Sequence, residues 1–324
     1  MKRPAEEISS FKRLRFRAEA GALRALAWLV PKFSRHTVLR FSHGLGWLAY
    51  HVLRQERRIA RANLDTAFAD SKSAAEKQRI TRVSLQNFVA TLLGLFWSPR
   101  LTRAQVEQIV EFDPESLRWL REIQARGKGI IGITMHYGDW ELLGLAISFY
   151  GFPMTVVQDT TNNPTLGEIL GRLRAVSGNR IIPNHRAAAK LMKALKRGDF
   201  IALLIDQYVA RHHGGEWLTF FGLSVANTPA IGWLALRTGA PIVPFVAHPL
   251  PNGRMRIACG PEVDYAALTD HESGAHAINQ KCLEGCEQVI RERPEYWLWS
   301  YKRWKARPTR EQGRYPNYSR YVPH

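Results

Sequence analysis

Apolar positions change their period along this chain. Up to about residue 115 they recur at helical intervals, as in Leu23, Leu26 and Val30, and Ser73-Ala74-Ala75-Glu76 has the form of a capping box that opens a long helix. The later part of that helix, with Phe88, Leu92, Leu93, Leu95 and Phe96, is strongly apolar, some of its face suited to a core and some to a lipid border. From about residue 120 short apolar runs alternate with helical stretches, the pattern of an α/β sheet. Strands are expected at 129–136, 154–158, 179–183, 200–206, 241–247 and 254–259, and helices at 139–150, 164–177, 186–197, 228–238 and 274–292. No repeat, low-complexity tract or flexible linker interrupts the chain. A helical region over 1–118 is therefore expected to pack as one unit with an α/β core over 119–324.

The strand at Gly129 carries the candidate chemistry. Ile130, Ile131, Ile133 and Thr134 are β-branched and suit a buried strand. After His136, Gly138 permits a tight turn, Asp139 can cap a helix beginning at Trp140, and Gly151 can close that helix from its C′ position. A histidine leaving the carboxyl end of a strand points into the crevice where open α/β sheets bind ligands. Glu141, in the first helical turn, can fold back toward the imidazole. A carboxylate that accepts the imidazole N–H fixes the tautomer and stabilises the imidazolium, so the other nitrogen can take a proton from a substrate hydroxyl. This is general-base chemistry without a protein nucleophile. The spacing is not diagnostic by itself, since His51 and Glu56 share it in an Arg-rich helical segment that reads as a solvated face. A second apolar run, Phe200-Ile201-Ala202-Leu203-Leu204-Ile205, ends in Asp206-Gln207, again at a carboxyl end and so beside His136; a loop cap is the plainer reading of Asp206.

Charge narrows the classes further. The 324 residues hold 46 Lys+Arg against 28 Asp+Glu, a net +18 with 45% apolar residues, enough for a sizeable core. Residues 1–61 hold 14 basic and 4 acidic side chains and residues 291–320 hold 9 and 3, so the excess sits at the two ends. No zinc-finger spacing, RNA-binding sheet signature or basic recognition helix accompanies it, which argues against nucleic acid. The basic residues alternate with Trp28, Leu29, Phe33, Phe41, Trp47 and Tyr50, the mixture of interfacial helices. The best apolar segments, Ala22 to Val30 and Leu45 to Leu53, are broken by Arg24, Pro31 and His51, so no complete transmembrane span is expected, and the first residues lack the apolar core of a secretory signal. Cys259, Cys282 and Cys286 read as reduced packing residues of a cytoplasmic protein. His212-His213, in a loop over Tyr208–Trp217 expected to be mobile, lacks a third ligand, so no metal is expected. With no Gly-x-Ser-x-Gly elbow and no Walker loop, neither a serine acyl-enzyme nor an ATP-driven step is expected.

Several motifs follow one another in order. They are Arg57-Arg58-Ile59-Ala60-Arg61-Ala62-Asn63-Leu64, His136-Tyr137-Gly138-Asp139-Trp140-Glu141, Asn163-Pro164 with Arg174 and Gly178, Asp206-Gln207, and Phe220-Phe221-Gly222. Thr228-Pro229-Ala230, Thr238-Gly239-Ala240-Pro241 and the block from Pro294-Glu295-Tyr296-Trp297-Leu298-Trp299 through Lys302-Arg303-Trp304 to Arg307-Pro308 complete the series. In this order the chain resembles, over nearly its full length, the bacterial lipid A biosynthesis acyltransferases, the lauroyl/myristoyl transferase family within the lysophospholipid-acyltransferase-like superfamily.

The resemblance implies an α/β fold with a glycerolipid-acyltransferase-like mixed sheet flanked by helices and an N-terminal helical membrane-docking segment. It implies an O-acyltransferase of late lipopolysaccharide biosynthesis that moves a fatty acyl chain from acyl carrier protein to a hydroxyl of a lipid A precursor, using His136 and Glu141 and no cofactor. Substrate binding would fall to Arg174, Asp206, Gln207, Asp139, Phe221 and Gly222. Arg174 reads either as an anion clamp or as a surface helix arginine, and Phe220-Phe221-Gly222 either as acyl-groove lining or as core. The implied partners are acyl carrier protein, an anionic glycolipid acceptor and the cytoplasmic face of the inner membrane, with peripheral or monotopic attachment and no nucleic acid. Two positions depart from the family pattern: Asp159 and His248 stand where relatives commonly have arginine, which bears on acceptor recognition. An acyltransferase for another glycolipid or membrane lipid is the alternative, followed by a catalytically silent basic membrane- or nucleic-acid-binding protein, which intact His136, Glu141 and Asp206 disfavour.

Overall fold

Each of these helices and strands forms within two residues of its expected ends in the computed structural model, which describes residues 10–159, 163–268, 272–309 and 311–322. Five helices lead: α1 (Ser10–Leu29), α2 (Arg35–Val52), α3 (Arg54–Phe68), α4 (Ala74–Trp97) and α5 (Arg103–Ile109). The capping box at α4 is reciprocal, with Glu76 N–H donating to Ser73 Oγ and Ser73 N–H to Glu76 Oε2. This helix packs against α2 on one side and reaches the sheet's helices on the other.

Alternation follows, through β1 (Val110–Phe112), α6 (Pro114–Ala125), β2 (Ile130–Thr134), α7 (Trp140–Phe149), β3 (Met154–Gln158), α8 (Pro164–Ala175), β4 (Arg180–Pro183), α9 (Ala187–Lys196) and β5 (Phe200–Leu204). A hairpin of β6 (Glu216–Phe220) and β7 (Leu223–Asn227) precedes α10 (Ala230–Thr238), β8 (Ile242–Pro249), β9 (Met255–Cys259), α11 (Ser273–Glu292) and a small parallel pair, β10 (Ala306–Pro308) and β11 (Arg320–Val322). The main sheet has seven strands in the order β1-β9-β8-β2-β5-β3-β4, and β1 and β9 run against the other five. It is a mixed α/β sheet flanked by helices. One face packs on α5, α6 and α7 through Val106, Leu120, Ile123 and Leu143, and the other on α9, α10 and α11 with Trp297, Trp299 and Trp304.

Three features depart from the sequence reading. The sheet begins before residue 119, because β1 pairs with β9. The loop expected over Tyr208–Trp217 reaches only Gly215 and is tied down by Tyr208 N–H to Tyr301 Oη and Val209 N–H to Ala226 O. The β6–β7 hairpin was not expected: its turn is Phe221-Gly222, and both residues take positive φ, 51° and 74°.

The N-terminal helices leave apolar surface without a partner. Among the described residues, twelve of the fourteen exposed large hydrophobics lie between Phe11 and Leu92, among them Trp28, Phe41 and Trp47. No helix among the described residues is long and apolar enough to cross a membrane.

Candidate active site

Strand register builds the site. β2 and β5 run in parallel with Thr134 opposite Leu204, and one bond further Ile205 N–H reaches Thr134 O. Continuing that register sets His136 beside Asp206, on neighbouring strands about 4.8 Å apart. His136 Nδ1 lies 2.8 Å from Asp206 Oδ1, and the His136 backbone N–H donates to Asp206 Oδ2 at 2.9 Å. Trp297 Nε1–H donates to the same oxygen at 2.7 Å. Burial pushes the Asp206 carboxyl up, but the charge of His136 and these hydrogen bonds outweigh it and leave the group below its usual range. The imidazole is 18% exposed; its Nε2 meets the Gln207 amide nitrogen at 3.2 Å, and its ring lies edge-on to Trp140 at 5.1 Å.

The turn that carries His136 is held from three sides. Leu298 N–H donates to His136 O, Gly138 N–H to Tyr296 O, and Asn87 and Thr91 of α4 both donate to Gly138 O at 3.0 Å. Gly138 has φ +57°, and a Cβ there would sit 2.0 Å from Ala247 O, so only glycine fits. Asp139 then caps α7, accepting Leu142 N–H at 3.1 Å. Burial pushes its carboxyl up to about 6, against the charge of Arg35 and the capping bond.

Glu141 is not the partner of His136. Its two oxygens accept Arg174 Nε–H at 2.9 Å and Nη2–H at 2.5 Å, a bidentate pair between the first turn of α7 and the last turn of α8. Arg174 Nη1–H donates to Gln158 Oε1 at 2.9 Å, at the carboxyl end of β3. Burial would depress the guanidinium, and Glu141 raises it above its ordinary value instead. Arg174 is thus neither a surface arginine nor an unengaged anion clamp. The carboxyl ends of β2, β5 and β3 carry two polar clusters, His136 with Asp206 and Gln207, and Glu141 with Arg174 and Gln158.

Such an arrangement can supply a base, an orienting carboxylate and cationic donors to a hydroxyl and an acyl carbonyl. The sequence profile described as bacterial lipid A biosynthesis acyltransferase matches residues 13–306. The chain belongs to the bacterial lipid A biosynthesis acyltransferase family. The lipid A biosynthesis lauroyltransferase of Escherichia coli (strain K12) is 26% identical over 304 residues, covering 89% of this chain and 92% of the relative. The lipid A biosynthesis palmitoleoyltransferase of the same strain is 26% identical over 277 residues, with 84% and 86% covered. A lipid A biosynthesis acyltransferase of Haemophilus influenzae is 26% identical over 287 residues, again with 84% and 86% covered.

The remaining motif residues of this acyltransferase fall in several places. Phe221 and Gly222 form the hairpin turn, where Phe221 packs on Phe68, Trp299 and Trp304 under the Arg291 guanidinium; none of these touches His136 among the described contacts. Asp159 is exposed and hydrogen-bonds Asn184, while His248 packs edge-on to Tyr137, its imidazole pushed down by burial and by Arg293. The His51–Glu56 pair lies where α2 ends and α3 begins, with His51 exposed. Trp297, Gln158, Trp140 and Asn87 had no role in the sequence reading. Trp297 and Trp140 stand in motifs that carried the resemblance, and Gln158 and Asn87 lack a local signal.

Proposed function

We propose that this acyltransferase moves a fatty acyl chain from acyl carrier protein to a hydroxyl of a lipid A precursor, with His136 as the general base. The observation that carries the reading is the pairing of His136 Nδ1 with buried Asp206. With Nδ1–H donated to the carboxylate, the Nε2 lone pair is left for a hydroxyl proton. The acceptor hydroxyl takes the place of the Gln207 amide on that nitrogen. Its proton passes to Nε2 as its oxygen attacks the thioester carbonyl; the C–S bond then breaks and the imidazolium gives the proton to the departing thiolate. Arg174 has five N–H donors and engages three with Glu141 and Gln158, so two remain for the oxyanion, beside the N–H groups that open α7. Glu141 acts in this reading by fixing that guanidinium.

Family membership supports the acceptor class, since the relatives are named for lipid A acylation. The apolar surface of α1 and α2, set among basic residues such as Lys32 over Trp28, suits an anionic membrane surface. In this reading the enzyme works at the cytoplasmic face of the inner membrane as a peripheral or monotopic protein.

The test is transfer of labelled acyl groups from acyl carrier protein to a Kdo-bearing tetra-acylated lipid A precursor. Wild type should transfer, and His136→Ala should lose at least about a hundredfold in rate while still binding anionic vesicles. A folded wild type inactive on this acceptor with both acyl carrier protein and acyl-CoA refutes the reading, and transfer from acyl-CoA alone replaces the donor.

A further inference from the structure

The chemistry above gives the donor's fatty chain no seat. Among the described contacts of the His136 imidazole, Asp206 and Gln207 are polar and Trp140 is apolar. The Trp140 ring lies edge-on to the imidazole with centroids 5.1 Å apart, and Phe88 of α4 stacks on Trp140 at 6.3 Å and 23°. Both aromatic side chains are half-buried. Leu92 follows Phe88 by four residues, one turn along the same side of α4, and is 41% exposed. The end of that helix, with Leu93 and Phe96, packs against Leu170 and Leu173 of α8 and against Val30 and Val38. An apolar strip thus leads from the imidazole along α4 toward an apolar cluster shared with α8.

Other places fit a fatty chain poorly. Phe220 and Phe221 are buried in the core against Trp304. A cavity of about 350 Å³ between α3 and the C-terminal segment is lined by Asp65, Asp70, Lys77 and Arg314, which a hydrocarbon would desolvate. A smaller one of about 90 Å³, beside β4 and α9, is lined by Arg180, Lys190, Lys193 and Arg197. The strip is the opposite case, apolar surface open to water next to the nitrogen at which the thioester carbonyl is attacked. We propose that Trp140, Phe88 and Leu92 seat the acyl chain of the donor, with Trp140 against its first carbons and Leu92 against its outer ones. Each methylene laid on the strip should then tighten the donor about twofold to fourfold. The inference rests on the reading of His136 as the base for a thioester and is independent of the acceptor's identity.

The first test is tryptophan fluorescence without an acceptor, which needs no turnover. Wild type and Trp140→Phe are titrated with acyl carrier protein and coenzyme A thioesters of a fatty chain brominated in its proximal half or at its distal end, bromine quenching an indole only at short range. The proximal label should quench wild type more strongly, and Trp140→Phe should lose that excess. Equal quenching by both labels, no quenching by either, or an excess retained in Trp140→Phe overturns the proposal. The second test is the ratio of kcat/KM for a lauroyl over a butyryl donor. Leu92 is exposed, so Leu92→Ser should fold, and it should lower that ratio about threefold to tenfold. A merely structural defect slows both donors alike and leaves the ratio where it was. An unchanged ratio overturns the seat, and weaker binding of that variant to anionic vesicles would then assign Leu92 to the bilayer. Proximal quenching in a protein inactive on the lipid A precursor refutes that acceptor and keeps the seat, while transfer without such quenching keeps the acceptor and refutes the seat.

Discussion

Replacing Asp206 with Asn changes one atom and reverses the imidazole. The carboxylate accepts three N–H groups: His136 Nδ1 on Oδ1, and the His136 backbone and Trp297 Nε1 on Oδ2. An amide can accept at only one of the two oxygen positions. Placing the amide NH2 at the Oδ2 position sets it against two buried donors, at about 1–3 kcal/mol each. The favoured orientation therefore keeps the oxygen at Oδ2 and points NH2 at Nδ1. Nδ1 must then accept, which moves the ring proton to Nε2, the nitrogen that has to take the substrate's proton. Reaching the reactive tautomer costs about 2–6 kcal/mol on these figures, and the imidazolium loses its counter-charge as well. A fall in kcat of about 10³–10⁴-fold is expected, with acceptor KM little changed and Tm nearly preserved. The assay is labelled acyl transfer at saturating acceptor, with circular dichroism as the folding control. Activity within tenfold of wild type would refute the role given to Asp206.

Arg174→Met should leave the largely buried Glu141 carboxylate unpaired and lower stability by about 2–4 kcal/mol in urea titrations; Arg174→Lys, which cannot bond both oxygens in the same plane, should recover less than half of it. Gln207→Ala should lower acceptor KM about threefold to tenfold, because the hydroxyl no longer displaces an amide from Nε2, and a raised KM would show that Gln207 binds the acceptor. Asp139, held at about 6 by burial, takes up a proton on folding between about pH 4 and 6. Its contribution is therefore full below pH 4 and is lost as pH rises through 6. Asp139→Asn keeps the helix cap and removes the buried charge, so it should flatten stability against pH over that window and raise it at pH 7.5 by about 1–3 kcal/mol, read from chemical denaturation.

Local pattern carried most of the fold. Helical period, the Ser73 capping box and the cap and glycine around α7 depend on neighbours within a turn, and the α/β alternation on runs of single strands. The elements that escaped were short or atypical: β1, β10 and β11 have three residues each, and the β6–β7 turn uses a phenylalanine at positive φ where Asn-Gly would have announced a hairpin. At the site, His136 and Asp206 stood out as polar ends of apolar runs and Glu141 as an acid in the first turn of a helix, and the sequence reading set Asp206 beside His136. Their partnerships were another matter. The spacing of five favoured Glu141, whereas the actual partner lies 70 residues on and is set by the register of β2 with β5. Glu141 turns instead toward an arginine 33 residues away on another helix. Phe88 was legible only as part of an apolar helix face, since its stacking on Trp140 belongs to the tertiary fold.

The clamp on the His136 turn also dictates when the enzyme can first work. Tyr296, Trp297 and Leu298 supply a carbonyl to Gly138, an indole N–H to Asp206 and an amide to His136 O, and Asn63 and Ser84 secure the same segment from α3 and α4. His136 and Asp206 are synthesised well before Tyr296, Trp297 and Leu298, the residues on which their arrangement depends. A nascent polypeptide can therefore form its sheet, and bring α1 and α2 to a membrane, while still lacking an organised proton acceptor. That arrangement forms only once residues 296–298 are in place, and a chain that stops before Tyr296 has His136, Asp206 and Gln207 without the frame that orients them.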